Sequence, residues 1–496
     1  MQGQLAALQI VVPLLAAPIC ALIGNRKWVH GLGVVVTWTT FAIAVALTGQ
    51  VLATGPFAYE IGGWVAPFGI EYRIDVLTCL VLLIVSGIAA VVMTYAGASL
   101  EVEIAYEQYP LFHTMFLLSL CGLLGITITG DLFNVFVFLE ISALSSYVLI
   151  SLGRDRRALV AAYRYLIMGT IGATFILIGI GLMYMMTGTL NMADMAVRLP
   201  AVESTRTVIV AFAFLTVGIG LKMALFPFHQ WLPNAYSYAP SVVTAFLAGT
   251  ATKVAVYVLL RFSLTVYGVE FAFGQMPLPE LLIPLGLAAM FSASLVAIFQ
   301  QDVKRLLAYS SVAQIGYMAL GIGLASVAGL TGGIVHMANH ALMKCMLFCV
   351  MGCVFLRLGS THIDDMRGLG REMPLTMAAF VVGGLGLIGV PMTVGFISKW
   401  YLVAAALDAG YWPIAVLILA SSLLAVLYVW RVVEVAYFQP PPTTRDPVLE
   451  APLSMLVPVW LLAIATVYFG IDSEFTAGLA QQAAQSLLSV SLGAPS

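Results

Sequence analysis

Lys222 stands in the middle of GIGLKMALFPFHQWL, residues 218–232, a stretch otherwise apolar enough to lie in a membrane. Five residues on, Pro227 interrupts the helix, and His229 and Trp231 follow the interruption. A charge at bilayer depth costs roughly 2.5–3.5 kcal/mol on insertion scales, so it is seldom there without a task. A proline at that depth removes a backbone hydrogen bond, which membranes tolerate where backbone faces protein or a wet cavity. Lysine and break together read as a station on an ion path. A lysine snorkelling to the surface fits less well, because apolar sequence continues on both sides. His229 has two readings, a relay group or a partner for backbone freed by the break.

Glu140 lies in FNVFVFLEISALSSYVL and is the one acid well inside an apolar helix, since Asp131 suits the N-cap of that helix. Lys222 is its natural partner. A Glu–Lys pair that opens and closes makes a proton switch, whereas a pair that stays closed is a structural ion pair. Lys253 sits among small and hydroxylated residues in TAFLAGTATKVAVYVLLR, which leave room for water. His336, His340 and Lys344 recur at i, i+4 and i+8 on one helix face. Imidazoles titrate in the range that suits proton passage. Polar packing and a metal site are the other readings of that face, although no third carboxylate or cysteine joins the histidines at helical spacing. Lys399 follows a second break, around Gly389 and Pro391, and ends the series. A row of mostly basic groups across the protein suits protons moving sideways between half-channels better than it suits a solute pocket.

Elements that position such a row must be membrane helices. Of the 496 residues, 61% are hydrophobic and 9% charged, against about 25% charged in soluble domains. The fold class is an all-α polytopic membrane protein. Apolar windows predict fourteen helices, near 5–24, 28–52, 75–96, 111–129, 132–152, 160–187, 207–231, 241–266, 279–300, 303–324, 328–357, 374–407, 412–438 and 453–471. The first lacks the basic flank of a signal peptide and reads as a retained helix. The tail after Asp472 is expected along the membrane face.

With residue 1 outside, twelve basic residues fall on the inner side: Arg26, Lys27, Arg154, Arg156, Arg157, Lys304, Arg305, Arg357, Arg367, Arg371, Arg431 and Arg445. Arg73, Arg198, Arg206 and Arg261 fall on the outer side. This positive-inside bias puts both termini outside. Arg164, near the inner end of its helix, can snorkel. Lys222, Lys253, Lys344 and Lys399 cannot. Helices seven and twelve, both interrupted by Pro or Gly, cross in opposite directions, the signature of inverted repeats. The division expected is a three-helix segment over 1–110, five-helix repeats over 111–266 and 279–438, and a final helix and tail over 453–496.

Several classes are excluded. The six cysteines lie in apolar segments without a CxxC, so neither a disulfide framework nor a zinc site is expected. There is no phosphate loop, dinucleotide fingerprint, haem attachment motif or iron–sulfur spacing. The chain is read as a transporter subunit without cofactor or metal, and nothing points to nucleic acid.

The segments GDLFNVFVFLEISALSSYVLISLG, KMALFPFHQWLPNAYSYAPSVVTAFLAGTATKVAVYVLLRF, QDVKRLLAYSSVAQIGYMALG and HMANHALMKCMLFCVMG resemble the antiporter-like subunits shared by respiratory complex I and the Mrp-type cation/proton antiporters. The resemblance spans roughly residues 70–435. It implies fourteen helices with inverted repeats, broken helices seven and twelve, and a central polar axis of Glu140, Lys222, Lys253, the helix-eleven group and Lys399. Lys399 at helix twelve departs from the glutamate usual in the M-type subunit. The length leaves no room for the lateral helix of the L-type. LGRDRRALVAAYRYLIMGTIGATFILIGIGLMYMMTGTLNMADM and HALMKCMLF are more similar to the Mrp D-type than to the N-type. The function so implied is the proton route of a multisubunit Na⁺(K⁺)/H⁺ antiporter in the cell membrane of a bacterium or archaeon. Its partners are other subunits, protons, Na⁺ or K⁺, and lipid. A redox-driven pump of complex I or membrane-bound hydrogenase type is the alternative.

Overall fold

The computed structural model describes residues 3–443 and 445–489. Among them, thirteen helical segments are long and apolar enough to cross a membrane. The chain opens with α1 (Gln4–Leu22) and α2 (Arg26–Thr54). An antiparallel hairpin follows, β1 (Phe57–Glu60) and β2 (Glu71–Ile74), with Phe57 opposite Ile74 and Glu60 opposite Glu71. Then come α3 (Val76–Glu103), α4 (Tyr109–Ile128), α5 (Leu132–Ser151), α6 (Arg157–Thr187) and the short α7 (Met192–Arg198). The seventh crossing is split into α8 (Arg206–Met223) and α9 (Trp231–Tyr238), and the eighth into α10 (Ser241–Gly249) and α11 (Ala251–Leu260). After α12 (Leu278–Ile298), α13 (Val303–Gly323), α14 (Val327–Leu358) and the short α15 (Leu369–Glu372), a further crossing is split into α16 (Pro374–Ile388) and α17 (Val394–Asp408). Each half is too short to span alone, and the two together make the fourteenth crossing. The chain closes with α18 (Trp412–Phe438), α19 (Leu453–Ile471) and α20 (Glu474–Ser489).

Polar caps start these helices. Asp75, Asp131, Asp302 and Ser326 each accept from a backbone N–H three residues on, at 2.8–3.1 Å, which satisfies donors that hydrocarbon cannot. Small residues then let helices approach. A Cβ added to Gly316 on α13 would lie 2.5 Å from the Gly286 carbonyl on α12, and one on Gly286 would lie 2.7 Å from the Gly316 carbonyl. No side chain fits between these backbones.

The repeats are visible in the backbone. Beside the Asp131 cap, Leu132 N bonds Leu190 O at 2.9 Å and Met192 N bonds Gly130 O at 2.8 Å. Beside the Asp302 cap, Val303 N bonds Thr361 O at 2.9 Å and Ile363 N bonds Gln301 O at 2.8 Å. The same tie thus starts the fifth and tenth crossings, which begin on opposite faces.

Four features differ from expectation. The third helix runs on to Glu103, seven residues past its apolar window, and buries that carboxylate. The eighth crossing is broken at Thr250, whose φ/ψ of −124°/−61° leaves the helix without any proline. Lys304, placed with the exposed inner cations, is instead buried in the first turn of α13, where its Nζ donates to Ala239 O at 2.7 Å. The tail forms α20, which packs Ala477, Ala480, Ala484 and Leu487 into the bundle against α14 and α3.

Candidate functional site

The site is built where the helices break. α8 ends immediately after Lys222: Ala224 turns left-handed at φ 59°, and Leu225 N closes back on Gly220 O at 2.9 Å. That conformation costs a residue with a Cβ about 1–2 kcal/mol, and such strain gathers at functional positions. Pro227 follows in the connection, and Trp231 Nε1 donates to the freed Leu221 carbonyl at 3.0 Å. His229 does not take that backbone role. Its ring stacks on Phe226 with centroids 5.4 Å apart, and its Nδ1 makes no hydrogen bond.

Glu140 reaches the lysine from α5. Its Oε1 lies 3.6 Å from Lys222 Nζ, and neither atom has a hydrogen-bond partner. Tyr165 stacks flat on Trp231 at 3.9 Å, and Tyr147 meets Tyr165 edge-on, so aromatic rings tie α5 and α6 to the break. A cavity of about 40 Å³ lined by Lys222, Ser142, Ala251, Val254 and Ala255 separates the pair from α11. That is room for a water or two between Lys222 and the helix of Lys253.

Lys253 is fully buried beyond this gap. Its Nζ donates to Ala248 O, the carbonyl released by the break at Thr250, and to Thr252 Oγ1 at 3.3 Å. Its helix packs against α14, where His336, His340 and Lys344 are all fully buried. The two imidazoles lie parallel, centroids 6.2 Å apart, so they stack along the helix rather than converge on one point. His340 has no hydrogen bond at either nitrogen, whereas His336 Nδ1 meets Ser398 Oγ at 2.8 Å. Lys344 turns to α13, where its Nζ donates to Leu307 O at 2.8 Å and to Ser310 Oγ.

Lys399 completes the row on α17. Its Nζ donates to Leu387 O and Ile388 O, both at 2.9 Å, the last carbonyls of α16 before Gly389 turns left-handed at φ 87°. It also lies 5.0 Å over the ring of Tyr317, whose centroid is 5.3 Å from that of His336. Pro391 is exposed in this break and holds none of the buried groups.

One physical device recurs. Lys222, Lys253 and Lys399 each sit at a broken helix, and the last two are held by unsatisfied carbonyls rather than by acids. Carbonyls at a helix end carry partial negative charge and solvate an ammonium where water is absent. Such a charge is stabilised enough to exist, yet nothing prevents it from giving up its proton. Ser398, Tyr317, the donor role of Trp231 and the Thr250 break carry no sequence signal of their own. A serine, a tyrosine and a tryptophan are ordinary in apolar helices, and only the GTAT run at 249–252 hinted at a break.

Fourteen crossings, paired broken helices and a row of buried lysines and histidines beside a half-buried Glu140 define a polytopic membrane protein. The family model for NADH:quinone oxidoreductase/Mrp antiporter, transmembrane, matches residues 129–425, and the chain belongs to this family. It is 43% identical over 490 residues to the N-type subunit of NADH-quinone oxidoreductase from Desulforudis audaxviator, covering 96% of this chain and 97% of that one. It is 29% identical over 477 residues to the D-type subunit of the Na⁺/H⁺ antiporter from Alkalihalophilus pseudofirmus, covering 95% and 94%. Among solved structures it is similar to a chain of the membrane-bound sulfane sulfur reductase, an archaeal respiratory membrane complex, with a TM-score of 0.91, 31% identity and 99% of each chain covered.

Proposed function

We propose that this chain is a proton-translocating subunit of a multisubunit membrane complex, carrying protons sideways along Glu140, Lys222, Lys253, the His336/His340/Lys344 group and Lys399. The Glu140–Lys222 contact carries the reading. At 3.6 Å, with neither atom bonded to a further protein group, the carboxylate holds the lysine proton mainly by its charge. When the pair opens, the buried ammonium loses its compensation and yields its proton toward the cavity before α11. Lys253, having first passed its own proton on toward the α14 imidazoles, accepts it against Ala248 O, and Lys399 releases its proton beside the α16/α17 break. In this scheme the five-helix units over 111–266 and 279–438 each supply one half-channel. The positive-inside distribution supports both termini on the outer face of the cell membrane.

The drive is proposed to be redox chemistry in partner subunits, since identity to the N-type relative is 43% over nearly the whole chain, against 29% to the D-type antiporter relative. The D-like reading, Na⁺ or K⁺ exchanged for protons, is supported by the segments over 152–195 and 340–348. The discriminating experiment uses everted vesicles lacking native antiporters, with the chain expressed beside its operon partners. Acidification on adding an electron donor, lost in Lys222→Ala, supports the redox-driven pump. Dequenching that depends on Na⁺ or K⁺ and vanishes in Lys222→Ala moves the chain to the antiporters. Transport indifferent to Lys222→Ala overturns the relay.

A further inference from the structure

His336 on α14 and Ser398 on α17 are both fully buried, with Nδ1 of the imidazole 2.8 Å from the serine Oγ. The same Oγ lies 3.2 Å from the carbonyl of Gly395, one turn back on α17. A carbonyl only accepts, so that contact uses the single hydrogen of the serine hydroxyl. The bond at Nδ1 is then completed by a proton on the ring, donated to a serine lone pair. In the reverse arrangement the serine donates to Nδ1 and the Gly395 bond is lost. The ring proton then sits on Nε2, which is buried and meets no acceptor among the protein's own groups. Two hydrogen bonds stand against one, and an orphaned buried N–H is the rarer and costlier defect.

We infer that Ser398 is a positioning residue that holds neutral His336 as its Nδ1–H tautomer, leaving the bare Nε2 lone pair as the atom at which this station takes up and returns a proton. Protonation adds Nε2–H and leaves Nδ1–H bonded to the serine, so the ring need not flip between strokes. Tyr317, His340, Lys253 and Lys399 are the groups that face or act on this imidazole. Ser398 directly precedes Lys399 on α17. A shift of that half-helix which relocates the lysine therefore also disturbs the bond that sets the histidine. The functional consequence rests on the proton-relay reading, while the tautomer itself does not.

The test is ¹⁵N-histidine solid-state NMR of the intact complex in lipid, with the His336 signals identified by their loss in His336→Gln. The expected spectrum of neutral His336 shows a protonated Nδ1 and an unprotonated Nε2. Ser398→Ala is expected to collapse it to a tautomer mixture, and Ser398→Thr, which keeps the hydroxyl, to restore it. A wild-type spectrum with the proton on Nε2 overturns the inference. In vesicles, Ser398→Ala should slow proton translocation several-fold and Ser398→Thr should rescue it. Full translocation in Ser398→Ala alongside none in Lys222→Ala overturns the serine's part while the relay stands. Full translocation in both brings down the relay reading and leaves the tautomer to the NMR result.

Discussion

The Oε1 of Glu140 lies 3.6 Å from Nζ of Lys222, and no hydrogen bond anchors either atom. Asp75 and Arg261 form another ion pair inside the bundle, and it is made differently. Their atoms are 2.5 Å apart. Arg261 also donates to Thr78 Oγ1 and Tyr257 Oη at 3.0 Å each, and Asp75 accepts from Thr78 N at 2.9 Å. A pair fastened by its neighbours is a strut. A pair whose partners bond no other protein group opens at less cost than the strut, as a switch requires.

The switch predicts a coupling energy. Glu140→Gln and Lys222→Met should each lower coupled transport at least about tenfold, which corresponds to about 1.4 kcal/mol. The double variant should be no worse than either single one, because the second change removes nothing further. Vesicle transport by the four members of the cycle measures this. Additive losses would separate the two residues into independent roles.

The strut predicts a stability effect. Asp75→Asn leaves the Arg261 guanidinium buried without its counter-charge, and breaking a buried pair costs about 3–5 kcal/mol. Thermal unfolding of the purified complex should fall by several degrees, with transport per assembled complex little changed at low temperature. An unaltered melting temperature would mean that Thr78 and Tyr257 suffice to hold Arg261.

Trp231 predicts a smaller effect on the same break that carries Lys222. Trp231→Phe keeps an aromatic face for Tyr165 and loses the N–H donated to Leu221 O. The net cost expected is about 1 kcal/mol. Because the freed carbonyl belongs to the residue before Lys222, transport should slow while expression holds. Equal transport in wild type and variant would assign the indole to packing only.

Legibility followed burial and charge. Glu140, Lys222, Lys253, His336, His340, Lys344 and Lys399 stood out because a charge or imidazole in an apolar run is costly and therefore visible. Pro227 and the Gly389/Pro391 pair mark two breaks because proline cannot continue a helix and glycine weakens one. The break at Thr250 had no such marker. Beside it Gly249 packs so closely that a Cβ would lie 2.8 Å from Ile88 on α3. Glu103 falls outside the predicted third helix, and Lys304 falls among the inner-side cations. Their burial depends on the turn at Ala239–Ser241, where Ser241 N donates to Glu103 at 2.7 Å and Lys304 bonds Ala239 O. Three segments distant in the chain meet there, which no local pattern announces.

Lys399 separates the two tasks of a relay lysine, satisfying backbone and moving a proton. Its ammonium satisfies Leu387 O and Ile388 O at the end of α16. Lys399→Ala should therefore both block transport and destabilise the break, by about 1–3 kcal/mol for carbonyls left without a donor. Lys399→Arg keeps the charge and the donors, but a guanidinium does not release its proton in a protein. The arginine variant should assemble with near-native thermal stability and fail to translocate. Sustained proton flow in Lys399→Arg would remove this residue from the path and leave it a cap on α16, with the exit then to be sought nearer the α14 imidazoles.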